Sequence, residues 1–281
     1  MASFRDSLHG DPLTSGNTRV KEARKLARRA FRTETRRFLA DGPKAVEGAL
    51  TTMLDSGASC VIEIFATPAA TEQYADLAAA AHSAEVAWTL VDDRALASMS
   101  DAVTPAGLIA VCRFIDRPLE HVLAPADRPA PRLVVICADV RDPGNAGTVI
   151  RTADAAGADA VILAGDAVDL YNPKTVRASV GSVFHIPVAI ERDPRAAVRA
   201  AQAAGLGVLA ADMDGRTLFE ADDLLAAPTA WLLGNEAWGI PADLRDAADE
   251  VVSIPIFGQA ESLNLATAAA VCLYASARAQ R

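Results

Sequence analysis

The chain has 281 residues, of which 51% are apolar and 22% charged, with a formal net charge of −9. That length is above the usual size of one domain, so two domains, or one large one, are expected, and the composition excludes disorder, a collagen repeat and a small disulfide scaffold. No apolar run reaches the roughly 18–20 residues of a membrane span, and the opening MASFRDSLHG lacks an apolar signal core, so a soluble, non-exported, cytoplasmic protein is expected.

Residues 1–18 are polar and read as a loose segment. The stretch from Arg19 to Arg37 then holds nine Lys/Arg against two Glu, a net of +7, which leaves −16 for the rest of the chain. Such asymmetry points to a polyanion partner. Wound as one helix, seven of these cations (Lys21, Arg24, Lys25, Arg28, Arg29, Arg32 and Arg36) fall within an arc of roughly 140°, while Val20, Ala27, Phe31 and Phe38 share another face. The expectation is one amphipathic helix, packed by its apolar stripe and turning its basic face to phosphate.

A βα pattern follows, with strands near 59–66, 85–91 and 107–114 and helices near 69–81 and 92–99. Residues 19–115 would form a compact α/β domain. Pro118, Pro125, Pro129 and Pro131 mark 116–132 as a semi-rigid linker. The remainder, 133–281, alternates strands near 133–138, 160–164, 184–190, 207–211, 230–234 and 251–256 with helices near 145–156, 173–180, 195–204, 241–248 and 262–278. Continuous apolar strands between helices imply a parallel sheet covered on both faces. Cys60, Cys112, Cys137 and Cys272 each sit alone in apolar sequence and read as buried free thiols in a reducing compartment. His185 reads as a strand residue, and no metal site is expected.

Three irregular stretches follow strands in this second half, where open parallel sheets bind ligands. In Asp139–Ala153 the turn DPGN places Asn145 as a helix cap, with Arg151 six residues further along the helix. In Leu233–Pro241 two glycines flank Glu236 and Trp238. In Ile254–Asn264 the chain runs through a Gly-bearing loop to Ser262, placed as the cap of the last helix. No G-x-G-x-x-G follows a strand and no Walker A sequence is present, which argues against a dinucleotide-dependent dehydrogenase or a nucleotide enzyme.

The segments DPGNAGTVIRTADAAG, LGNEAWGI and IPIFGQAESLNLATAAAVCLY resemble the three ordered motifs of the SpoU family, RNA ribose 2′-O-methyltransferases of the SPOUT class. The resemblance spans 130–281. More loosely, FLADGPKAVEGAL and the basic stretch before it resemble the L30e-like RNA-binding domain often attached in that family. The resemblance implies a parallel α/β domain with a deep trefoil knot, a threading that periodicity could not reveal. It implies S-adenosylmethionine held by main-chain groups and adenine packing at Gly234, Ile254 and Leu263, with Leu209 at a strand end added. Its catalytic set falls on Asn145, Arg151, Glu236, Ser262 and Asn264. The arginine has been proposed as the base in this family; a guanidinium is essentially always protonated, so Arg151 reads instead as a group that orients the phosphate and stabilises alkoxide charge. Homodimerisation through the Ala-rich last helix is implied as well. The favoured substrate is 23S ribosomal RNA, the alternatives being transfer RNA or a non-catalytic RNA-binding role.

Overall fold

The computed structural model describes residues 10–281, which divide into two compact units. The first comprises residues up to 115 together with 171–185. Its elements are α1 (Thr18–Lys25), α2 (Arg29–Thr35), β1 (Arg37–Asp41), α3 (Pro43–Thr51), β2 (Val61–Ala66), α4 (Pro68–Gln73), α5 (Ala75–Ser83), β3 (Ala87–Leu90), α6 (Asp93–Met99) and β4 (Leu108–Arg113), joined by the separate α9 (Pro173–Ala178). The sheet order is β1-β4-β2-β3, with β4 antiparallel to both neighbours and β2 parallel to β3.

The single basic helix expected over 19–37 is in fact two helices and the start of a strand. α1 stops at Leu26, and Arg28 is extended at the start of α2. Arg36 then ends α2 in a left-handed conformation with φ 50°. Phe38, expected on the helix stripe, lies instead on β1 opposite Cys112, fully buried. Local periodicity misjudged this stretch because its apolar residues serve two different elements, and the strand is recruited only by pairing with distant β4.

Residues 171–185 close the same unit. Tyr171 stacks on Phe114 at 3.7 Å, packs 4.6 Å from Phe38, and its hydroxyl accepts the main-chain N–H of Ile115. Position 181 requires glycine, because its φ is 93° and a Cβ there would come within 2.7 Å of the Lys44 carbonyl. His185 is exposed and precedes its strand rather than lying in it.

The second unit contains 116–170 and 186–281. It comprises α7 (Leu119–Leu123), β5 (Leu133–Ala138), α8 (Pro143–Ala156), β6 (Ala160–Ala164), β7 (Val188–Glu191), α10 (Pro194–Ala203), β8 (Gly207–Thr217), α11 (Asp222–Ala226), β9 (Thr229–Leu233), α12 (Ala242–Arg245), β10 (Glu250–Ser253) and α13 (Leu265–Gln280). Its six strands are all parallel, in the order β10-β8-β9-β5-β6-β7. β5, β6 and β9 are buried at every position, as a sheet covered on both faces requires. The stretch 116–132 is no free connector. Arg117 bridges to Ala189, and α7 sinks Val122 and Leu123 into the core beside Ile136, Ile162 and Val198. After the edge strand β10 the chain returns to the sheet centre, where α13 packs on α8, β9 and β5. Trp231, fully buried on β9, donates its Nε1–H to Ser276 Oγ at 2.9 Å and so ties α13 to the sheet. All four cysteines are buried and free; burial pushes the Cys272 thiol up to about 12.

Candidate active site

A cavity of about 630 Å³ opens at the C-terminal ends of β5, β9 and β10 and beside the middle of β8, where the three loops singled out in the sequence converge. Asn145, Gly234, Glu236, Ile254, Ser262, Leu263 and Asn264 all line it.

Two helix caps differ from expectation, and the difference frees the residues that matter. Asp142, not Asn145, caps α8: its Oδ1 accepts the Asn145 main-chain N–H at 2.8 Å, and Pro143 occupies the first turn, where no N–H is needed. The Asn145 side chain is thereby released into the cavity. At the other end Asn264, not Ser262, caps α13, accepting from the main-chain N–H groups of Ala266 and Thr267. The helix begins at Leu265, and Ser262 stays in the loop among the residues lining the cavity.

These side chains form a directed relay. Asn264 Nδ2 donates to Asn145 Oδ1 at 3.0 Å, and Asn145 Nδ2 donates to Glu236 Oε1 at 3.1 Å. Glu236 also accepts the main-chain N–H groups of Asp142 at 3.2 Å and Arg141 at 3.3 Å. Asn145, bonded to Glu236 on one side and to Asn264 on the other, thus links all three loops. Partial desolvation pushes its pKa up, but the donors from Asn145 and from the main chain outweigh that and hold the carboxyl below its ordinary range. With its oxygens committed to donors and its proton affinity lowered, Glu236 is an anionic anchor and a poor general base. Complete burial, with the Glu236 charge adding to it, pushes the thiol of Cys137 on β5 up to about 12.

Asn235 completes the scaffold and carried no signal in the sequence beyond its place in the loop. It is buried, and its Nδ2 donates to the Asp139 carbonyl at 2.6 Å while its Oδ1 accepts from Ala237 N–H. Its main chain pairs in both directions with Gly239. Gly234 is required by the same turn, since a Cβ there would come within 2.5 Å of the Gly239 and Ile240 main chain.

Two expected members stand apart. Leu209 is 2% exposed, paired within β8 between Trp231 and Glu250; the cavity lining from that strand begins two residues later, at Ala211, Asp212 and Met213. A leucine in the middle of a parallel sheet is core, and the lining residues of β8 lie past its last pair with β9, Ala210–Leu232. Arg151 is exposed on α8 outside the cavity lining, and its side chain makes no ion pair or hydrogen bond among the described residues. Its guanidinium is left available for a phosphate.

Of the basic residues, Lys21, Arg24, Lys25, Arg28, Arg29 and Arg36 are exposed. Lys25 pairs with Glu22, and Arg36 lies over the Phe114 ring at 4.7 Å. Arg32 is an exception to the expected basic face: it is 2% exposed, and its Nη1 donates to the carbonyls of Leu26 and Ala27. It satisfies the orphan carbonyls where α1 ends, a structural task created by the helix break.

A SpoU rRNA Methylase family model matches residues 132–274. The chain belongs to this family. An MRM3-like substrate binding domain model matches 17–110, where the L30e-like domain is expected. Among SpoU relatives, the chain is 35% identical to the 23S rRNA (guanosine(2553)-2′-O)-methyltransferase of Bacillus subtilis, covering 92% of this chain and 95% of that one. An AdoMet-bound rRNA methyltransferase from Sinorhizobium meliloti shares its structure with a TM-score of 0.81 and 32% identity, covering 95% and 97%. The AdoMet complex of the SpoU methyltransferase AviRb from Streptomyces viridochromogenes gives 0.76 and 29%, covering 93% and 98%.

Proposed function

We propose that this SpoU protein is an S-adenosylmethionine-dependent methyltransferase acting on a ribose 2′-hydroxyl of 23S ribosomal RNA. The observation that carries this reading is the relay from Asn264 through Asn145 to Glu236, which binds the three loops into one site. The cavity fits the cofactor. Its volume suits a ligand of that size, Ile254 and Leu263 offer apolar faces for an adenine, and residues 255–263 have no regular secondary structure to consume their main-chain donors and acceptors. Asp212 and Glu261 add carboxylates that suit a cationic ligand.

The cofactor supplies an electrophilic methyl group on a sulfonium. With the cofactor bound, methylation of the ribose 2′-oxygen would leave the carbon–sulfur electron pair on sulfur and pass the hydroxyl proton to bulk water. The chain's own residues position and stabilise. Glu236 and Asn264 fix which way the Asn145 amide faces, Ser262 offers a hydroxyl at the wall, and Arg151 holds a target phosphate and offsets the charge developing on the 2′-oxygen.

The same reading assigns RNA docking to the exposed cations Lys21, Arg24, Lys25, Arg28, Arg29 and Arg36. Neutralising Arg24, Arg28 and Arg29 together is expected to weaken RNA binding and to flatten its log–log salt dependence by up to ~3. A titration with an unchanged slope would remove this face from the interface. Arg32 does not belong in that set, because its loss would unsettle the α1 terminus. We assign the protein to the cytoplasm, supported by its four unpaired buried thiols, and to a homodimer, supported by the exposed apolar Met213, Phe219 and Phe257. The return of the chain from edge strand β10 to the sheet centre supports a trefoil knot in the C-terminal domain.

Radiolabelled S-adenosylmethionine, offered with unmethylated ribosomal RNA and transfer RNA in separate reactions, tests the function. Label is expected in ribosomal RNA, in a dinucleotide that resists alkali, because a methylated 2′-oxygen cannot attack the neighbouring phosphodiester. Label confined to transfer RNA would move the substrate, and alkali-labile label would mean base methylation. No transfer to either RNA or to ribosomal particles, with RNA binding intact, would leave a non-catalytic binder.

A further inference from the structure

We propose that Trp238 and Arg141 form a stacking seat for an unpaired nucleobase of the RNA substrate, beside the nucleotide whose ribose is methylated. The inference rests on the RNA substrate proposed above. Trp238 is 53% exposed although it lines the cavity. It is carried on the turn closed by the two-way pairing of Asn235 with Gly239, whose φ of 70° completes the reversal. That turn braces Glu236 through its main chain, and the indole itself takes no part in the bracing. Its N–H has no hydrogen-bond partner among the described residues.

Arg141 sets its guanidinium over the ring, with Cζ 5.1 Å from the centroid, and is held there by an ion pair with Asp166 at 3.0 Å. Its main-chain N–H anchors Glu236, so the platform and the relay are built on the same residue and keep a fixed spacing. An aromatic face open to solvent beside a cation, at the mouth of a cavity that takes a nucleotide, has the chemistry that receives a splayed base: stacking from the indole and charge for the adjoining phosphate. The other exposed aromatic pair differs. Phe219 and Phe257 stack on each other at 6.2 Å, and no cation lies over either ring among the described residues.

The test uses the full chain with Trp238→Ala, Trp238→Phe and Trp238→Leu, measured for KM towards ribosomal RNA, kcat and affinity for S-adenosylmethionine. Trp238→Ala should raise the RNA KM about tenfold. Trp238→Phe should restore most of it and Trp238→Leu should not, while cofactor affinity stays within about twofold. RNA should also quench the emission of the wild-type protein more than that of Trp238→Phe. An unchanged KM in Trp238→Ala overturns the seat, as do equal rescue by leucine, a parallel loss of cofactor affinity, or a change in oligomeric state that accounts for the loss. A wild-type protein that neither binds nor methylates RNA overturns the proposed function, and the seat with it.

Discussion

Replacing Asn145 with aspartate is expected to lower methyl transfer on the order of a hundredfold at alkaline pH and to return part of it on acidification. The substitution exchanges the Nδ2 donor, 3.1 Å from Glu236 Oε1, for a second carboxylate. Two carboxylates at that separation cannot both ionise cheaply, so the pair takes up a proton with a raised apparent pKa and regains one hydrogen bond when it does. The wild-type site has the opposite sign. Its Glu236 pKa is depressed, so the stability the carboxylate contributes is present above the ordinary carboxylate range and is lost as pH falls through the folded value. Single-turnover transfer as a function of pH, with cofactor affinity measured alongside, separates the two cases. Asn145→Ala should be impaired without recovery in acid; matching pH profiles for the alanine and aspartate variants would show that the relay does not set the amide.

The second large effect is at Arg151. Arg151→Ala should abolish transfer, by about 10³-fold or more, yet leave S-adenosylmethionine binding within a few-fold, because the residue lies outside the cavity lining. Arg151→Lys should recover only a fraction, since an ammonium keeps the charge but loses the fork that matches a phosphate. Rapid-quench transfer together with calorimetric cofactor titration decides it. Full turnover in the alanine variant would take Arg151 out of the mechanism.

The C-terminal sheet was legible because its strands are uninterrupted apolar runs, and burial on both faces leaves no other composition for them. The site loops were legible as places, since parallel strands put their outgoing loops on one edge. Which side chain did which task was not. Asp142 and Asn145 both suit a helix start, as do Ser262 and Asn264, and the turn geometry that selects the cap is set by Pro143 in one case and by the approach of Asn145 in the other. Asn235 looked like loop filler, because its partners, the Asp139 carbonyl and the Gly239 main chain, are brought to it only by tertiary structure. The N-terminal unit was less legible for a related reason. β1 exists through its pairing with distant β4, from Arg37–Arg113 to Asp41–Ile109, and the run before it has enough helical periodicity to conceal the break at Leu26.

The inclusion of 171–185 in the N-terminal unit makes that unit discontinuous in the chain. Its aromatic cluster draws Phe38 and Phe114 from one stretch, and Tyr171 and Phe184 from a segment lying between β6 and β7. The N-terminal unit therefore cannot be traded as a cassette by cutting at residue 115. A graft that changes substrate would have to carry the 171–185 excursion with it, so any change of target by recombination in this architecture requires two matched exchanges, and one-step shuffling would leave rings without their partners.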